Sequence, residues 1–491
     1  MTFRHGVYTS EIETALQTAP SVDSALPFVV GAVKTAFEPT VVTSWRQFVE
    51  LSGITEGTDD VAGEDGWFSH SLVSFAYLWF RLCGRGDCIM CGIASADGSV
   101  GSNSLLSALD KIDTVYERLR RLPSLVCIPY FANNPGVWTL MKSKAELYGG
   151  RFSAVAVGDI PCNEHAPSDS GEPDIVSWPS RVADAKEVSD KSLALFWPYI
   201  GVGDLRFDLS SVACAVMNRT DAQNGNLPFV SPSNKNCYAT GVYVMQPEVV
   251  ELNSVVTDFG PGGGRVYLGP NASTTYCLGT GSGLLPADAE YSLKEFPDVE
   301  VSKLTSVGDT YLSVKSAEIP VGTAATLVYV EADAEYHEAP LFQNRDEVNT
   351  YLGANGVIGA LNTASGWVLW GNNTSAFPGN TDVKDNILSE RRMFNYVKNS
   401  FQLFAQPRID NPLNRRQLEG VVNAFNQILA SLQGFGALNA ASVVIDDERN
   451  TTEQLIRGVV YFRIRIAPPP PMQEINGVFE FDVPGFEASL A

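Results

Sequence analysis

The chain has 491 residues, more than one hydrophobic core usually serves, so about two to four domains are expected. With 45% hydrophobic and 18% charged residues it is a buried globular sequence and not a disordered one. Its formal charge of −22 excludes a general nucleic-acid binder, which needs a basic face to displace counterions, and makes copies of the chain repel at long range.

Residues 1–20 are polar and read as extended, with no complete amphipathic period. MTFRHGVYTSEIETAL lacks the basic and then apolar regions of a secretion signal. No run approaches the about 18 apolar residues that a membrane-crossing helix needs, and FAYLWF at 75–80 is the tightest cluster. The eight cysteines sit mostly in apolar, strand-like surroundings, which predicts reduced, buried thiols in a protein made in the cytoplasm.

From residue 26 short apolar runs alternate with helical periods. LPFVVGAV (26–33) predicts a buried strand, SHSLVSFAYLWFRLCG (69–84) a buried helix and CIMCGIA (88–94) a strand. SLLSALDKIDTVYERLRRL (104–122) predicts an amphipathic helix with Leu105, Leu109, Ile112, Val115 and Leu119 on one face. SLVCIP (124–129) and FSAVAVG (152–158) read as strands around the helix NPGVWTLMKSKAELYG (134–149). LALFWPY (193–199) and a helical run after Asp208 continue the alternation, which implies a mainly parallel sheet with helices on its faces.

The rhythm breaks near 240. Residues 245–340 hold short β-runs, many glycines and almost no helical period, as expected of an all-β insertion. After 341 the α/β character returns. RRQLEGVVNAFNQILASLQGFGAL (415–438) places Leu418, Val421, Val422, Phe425, Ile428, Leu429 and Leu432 on one stripe, ended by Gly434 and Gly436. ASVVID (441–446) and GVVYFRIRIA (458–467) then read as strands. The expected fold class is multi-domain α/β. A mainly parallel core is made from N- and C-terminal portions, with an inserted all-β domain and extended terminal arms. The expected boundaries are 1–20 (arm), 21–244 (first α/β part), 245–340 (insertion), 341–467 (C-terminal α/β domain) and 468–491 (arm).

Chemical motifs are weak. Cys83, Cys88 and Cys91 have a ferredoxin-like spacing, but the last two lie on the strand CIMC and no wrapping loop follows. LGTGSG (278–283) lacks the Lys-Ser/Thr of a phosphate loop and has no helix after it. Asp446, Asp447 and Glu448 follow a strand, where a metal-dependent enzyme would place carboxylates, but no histidine joins them. No catalytic, cofactor-binding or metal-ligating residue is assigned. A metal-dependent α/β enzyme with a β insertion is the alternative from another class.

The end of the chain is more informative. Val460, Phe462, Ile464 and Ile466 alternate with Val459, Tyr461, Arg463 and Arg465, as in a half-buried strand. Pro468, Pro469, Pro470 and Pro471 then form a stiff spacer of about 12 Å, at roughly 3.1 Å per residue. Beyond it Ile475, Gly477, Phe479, Phe481 and Val483 alternate with Asn476, Val478, Glu480 and Asp482. A strand with an apolar face, held away from its own domain, is expected to add to the sheet of another copy. The bland alternative is that it closes its own sheet. Between 384 and 416 seven basic residues face three acidic ones, which suggests a surface that docks on something acidic or simply a solvated face.

These residues resemble a known family, the contractile tail sheath proteins of phages and related injection particles. GWVLWGNNTSAFPGNTDVKDNILSERRMFNYVKNSF (366–401) resembles the family's W-G-x-x-T stretch leading to an Arg-Arg helix. LNAASVVIDDERNTTEQLIRGVVYFRIRIAPPPPMQEI (438–475) resembles its closing segment, and LPFVSPSNKN (227–236) its P-S-N loop. HGVYTSEI (5–12) is similar to its N-terminal arm, in which Val7, Tyr8 and Thr9 would lie. The resemblance implies a structural, non-enzymatic subunit without cofactors, forming sixfold rings stacked helically around an inner tube. Terminal arms would complete a small sheet in neighbouring subunits. It implies itself, the inner tail tube protein, the baseplate and tail terminator proteins as partners, with no nucleic acid and no membrane insertion. It also implies assembly in the host bacterial cytoplasm and residence in a virion tail or released particle. The C-terminal domain would lie against the tube and the insertion outward. Arg391, Arg392, Lys398, Arg415 and Arg416 would be candidates for tube or neighbour contact. The sheath of a type VI-like secretion system is a nearer alternative, although such sheaths usually divide the work between two chains.

Overall fold

The computed structural model describes residues 22–160 and 188–252 except 64–65, 84–85 and 133, strands between 254 and 335, and residues 345–481. In chain order the first elements are β1 (Pro27–Val33), β2 (Phe37–Val42), α1 (Trp45–Ser52), α2 (Ser71–Tyr77), β3 (Cys88–Ala94), α3 (Ser102–Asp110), α4 (Val115–Leu119) and β4 (Leu125–Cys127). Next come α5 (Pro135–Glu146), β5 (Val155–Asp159), β6 (Leu193–Phe196), β7 (Tyr199–Val202), β8 (Leu205–Phe207), α6 (Leu209–Gln223) and β9 (Lys235–Asn236).

β10 (Gly241–Leu252) opens a stretch of strands: β11 (Ser254–Asp258), β12 (Arg265–Leu268), β13 (Thr275–Cys277), β14 (Lys294–Glu295), β15 (Ser306–Val307), β16 (Thr310–Tyr311) and β17 (Ala325–Glu335). The chain closes with α7 (Arg345–Tyr351), β18 (Val357–Thr363), β19 (Gly366–Trp370), α8 (Val383–Asn386), α9 (Leu388–Ala405), α10 (Arg415–Gly434), β20 (Ala440–Ile445), α11 (Thr452–Ile456) and β21 (Phe462–Ala467).

Nine strands form the main sheet in the order β2-β3-β1-β4-β5-β6-β18-β19-β9. The six strands from β3 to β18 run parallel, and β2, β19 and β9 pair antiparallel at the two edges. Helices cover both faces of a parallel sheet, so its strands are apolar throughout, and β1 (PFVVGAV) is buried along its whole length. β18 returns to β6 with Val357 opposite Leu195 and Ile358 opposite Phe196, so chain from either side of the β-rich stretch builds one sheet. At the end of β5 the carboxylate of Asp159 accepts the Ser210 amide at 2.9 Å and the Ser210 hydroxyl. It thereby caps α6 from a neighbouring strand. Asp208 beside it accepts the Tyr130 amide at 2.8 Å.

Three details differ from expectation. The helix expected over 104–122 is divided by a tighter turn at Lys111–Thr114. Near three residues per turn, Ile112 and Val115 stay on one face, and both are fully buried. The predicted C-terminal domain began at 341, but β18 and β19 belong to the main sheet, so the separate C-terminal layer starts in α9. β21 begins at Phe462 and not at Gly458, because the Asn450 side chain brackets both backbone groups of Tyr461.

A second core lies between α9, α10 and the β20–β21 pair. Met393, Val397 and Phe404 meet Phe425, Leu429, Leu432 and Val443 there. α9 also places Leu388 and Leu403 in the first core, so one helix serves both.

Candidate assembly surface

The C-terminal layer is built on α10. The Asn414 side chain caps its start by accepting the Gln417 amide at 2.9 Å. Its end is a Schellman turn: Gly436 takes φ +78°, its amide donates to the Gln433 carbonyl, and Ala437 donates to the Leu432 carbonyl. The apolar stripe between these caps packs beneath β20 and β21, which pair antiparallel with Val443 opposite Ile464 and Ser442 opposite Arg465. Among the described residues no third strand joins this pair.

The two edges differ. On the β20 side, Asn426 of α10 accepts the Val443 amide at 2.9 Å and donates to its carbonyl at 3.2 Å. This half-buried side chain was invisible to hydrophobic periodicity, and only its polarity beside the apolar stripe could have flagged it. The outer face carries Arg463, which binds Asp446 at 2.8 Å and Glu448 at 2.6 Å, and the exposed Arg465. Asp446 and Glu448, two members of the acidic triplet, are thus held by arginine. No group of three or more potential metal ligands occurs among the described residues.

Beyond β21, Pro468 is buried, and from Met472 to Phe481 every residue is exposed. Ile475 is 80% and Phe479 96% exposed. No strand pairing occurs over 468–481, so the arm does not close its own chain's sheet within the described residues. Val483, and Val7, Tyr8 and Thr9 of the expected N-terminal arm, lie outside the described residues.

The basic residues separate into two groups. Arg392 is not tube- or neighbour-facing: its side chain is 2% exposed, bonds Asp221 at 2.5 Å and donates to the Ser24 carbonyl at 3.2 Å. Arg391 is also turned inward, with Asp385 at 3.1 Å and Asn395 as partners. Lys398 donates to the Ser153 hydroxyl at 2.7 Å, and burial lowers its pKa. Lys398 acts with Asn395 and Asn399, which bond the backbone of Ala154 and Ser153, to hold α9 against the chain just before β5. Arg415 and Arg416 are exposed, and Arg415 pairs with Glu419 on its own helix. Upstream of β1, Asp23 pairs with Arg121 at 2.8 Å, and the Ser24 carbonyl accepts from Arg392 of α9.

Residues 384–482 match the family described as the phage tail sheath C-terminal domain. A tail sheath protein of Burkholderia phage BcepMu is 31% identical over 112 residues, and the match spans 23% of each chain. The fold is similar over the whole length to solved sheaths. The sheath of an extracellular contractile injection system, the PVC complex in its contracted state, aligns with a TM-score of 0.57 at 16% identity over 99% of both chains. The contracted helical sheath of the anti-feeding prophage aligns with a TM-score of 0.55 at 16% identity, covering 98% of this chain and all of that one.

Proposed function

We propose that this chain is the sheath subunit of a contractile phage tail or of a phage-tail-like injection particle. The observation that carries the reading is the coincidence of the matched C-terminal domain, residues 384–482, with an open two-stranded sheet and an exposed arm on the same segment. Copies polymerise as stacked sixfold rings around an inner tube, each arm adding a strand to a neighbour's β20–β21 sheet. The extended lattice is metastable, and a signal from the baseplate lets subunits rotate into a contracted packing that buries more surface and drives the tube through an envelope.

The second core and its sheet face the tube, with Arg415 and Arg416 the remaining candidates for that contact. The all-β insertion over 245–340 faces outward, and residues 1–20 form the second arm. Assembly takes place in the host cytoplasm, with the tail terminator capping the finished polymer. The work is mechanical and needs no cofactor.

Electron microscopy of the purified chain tests the reading. Hollow cylinders or ring stacks are expected from the full chain, and folded monomers from a chain lacking 472–491. Polymers of normal length from the truncated chain would sink the arm exchange.

A further inference from the structure

Asparagine followed by glycine sets an electrophile beside a nucleophile. Glycine has no Cβ to shield its backbone nitrogen, so that nitrogen can reach the side-chain carbonyl carbon of the residue before it. Whether it does depends on what holds the two groups. The chain contains three such pairs: Asn224 with Gly225, Asn355 with Gly356, and Asn476 with Gly477.

Two of the pairs are held. At the end of α6 the Asn224 side-chain amide donates back to the Thr220 carbonyl at 2.6 Å, which keeps it over the preceding turn and away from the nitrogen that follows. The Gly356 amide is itself bonded, donating to the Gly353 carbonyl at 3.0 Å in the turn before β18, and Gly356 is buried with the Phe377 carbonyl packed on it. The third pair lies in the arm beyond the proline spacer. Asn476 and Gly477 are both exposed, in a stretch without helix or strand. Among the described residues nothing pairs with the Gly477 amide. The Asn476 side chain donates to the Glu474 carboxylate at 2.9 Å, within the same exposed stretch, and its carbonyl carbon stays uncovered.

We infer that Asn476 is a site of spontaneous modification, where the Gly477 nitrogen closes a succinimide ring and water reopens it as aspartate or isoaspartate. Hydroxide takes the Gly477 amide proton, and the nitrogen bonds to the Asn476 Cγ. The bond from Cγ to Nδ2 breaks, and Nδ2 leaves as ammonia. Water then adds to one of the two ring carbonyls and cleaves its bond to nitrogen. Attack at Cγ restores the ordinary backbone with aspartate, and attack at the backbone carbonyl leaves isoaspartate. Both products add a negative charge to the arm of a chain that already carries −22. Isoaspartate also routes the backbone through Cβ, so Phe479 and Phe481 lose their register with the residues before Asn476. The consequence for assembly rests on the strand addition proposed above, whereas the chemistry at Asn476 does not. A free subunit keeps a competent arm only for a limited time, and a polymer that pairs the Gly477 amide protects it.

The test ages the full-length chain in mildly alkaline buffer. Its peptides are weighed at intervals and treated with a methyltransferase that labels isoaspartate. Conversion is expected at Asn476 ahead of Asn224 and Asn355. Gly477→Ala should slow it by about tenfold, because a Cβ shields the nitrogen and at this position meets only the Phe479 ring, at 3.4 Å. Aged wild-type chain should lose polymerisation in proportion to the converted fraction, with its thermal unfolding unchanged. Asn476→Gln, whose longer side chain closes a ring slowly, should behave the same aged as fresh. Faster conversion at Asn224 or Asn355, or an arm that stays unconverted, would overturn the inference while leaving the sheath reading standing. Conversion without loss of polymer would overturn the consequence for assembly. A fresh wild-type chain that never polymerises would overturn the sheath reading and leave the chemistry at Asn476 standing.

Discussion

Arg392 and Asp221 tie the helix that serves both cores to α6 and to the Ser24 carbonyl upstream of β1. Burial pushes the Asp221 carboxyl up to about 6, and the adjacent guanidinium pulls it back only in part. Removing one member strands the other as an uncompensated buried charge. Arg392→Ala is therefore expected to cost about 3–5 kcal/mol, read as a lowered midpoint in denaturant, whereas Arg415→Ala on the exposed start of α10 should leave the midpoint where it is. Asp208 governs a pH dependence. Burial raises it from 3.8 to about 7, and Asp159 is raised by burial and then by the charge of Asp208. Between those values the folded chain holds a proton that the unfolded chain has released. Stabilisation from Asp208 is thus complete below about pH 4 and is lost as pH rises through about 7. The melting temperature should fall between about pH 5 and pH 8, and Asp208→Asn should flatten that fall. A slope unchanged by the substitution would mean that other groups set it.

At the scale of elements, α10 depends on Phe425, fully buried between Phe401 at 5.0 Å and Phe404 at 5.2 Å. Phe425→Ala should cost about 3–5 kcal/mol, and hydrogen exchange should speed up in α10, β20 and β21 before it does in β1 or β3. Equal loss of protection in the main sheet would show that the two cores open together. The apolar stripe of α10 was legible because a helix that buries one face must repeat every 3.6 residues. β1 and β3 were legible because a strand covered on both faces must be apolar throughout. β2 was not, since Glu38, Pro39 and Thr40 suit an edge strand and a loop equally well. Of the candidate surface, the arm's alternation could be read directly. The burial of Arg392 could not, because sequence gives a side chain's charge and not its neighbour 171 residues away. The hold of Asn426 on the Val443 backbone was hidden for the same reason.

For the whole molecule, association sets a long-range repulsion against short-range contacts. A chain of formal charge −22 repels its copies over the Debye length, about 30 Å at 0.01 M salt and about 8 Å at 0.15 M. In the proposed arm exchange, backbone pairing and burial of Ile475, Phe479 and Phe481 work only at contact and are little weakened by salt in that range. Raising salt from about 0.01 to 0.15 M should therefore lower the protein concentration at which polymers first scatter light. Polymers that dissolve over that range would mean that ionic contacts between subunits outweigh the arm. The prediction applies to association alone, because Arg392 and Asp221 are shielded from solvent and the monomer's melting temperature should change little over the same titration.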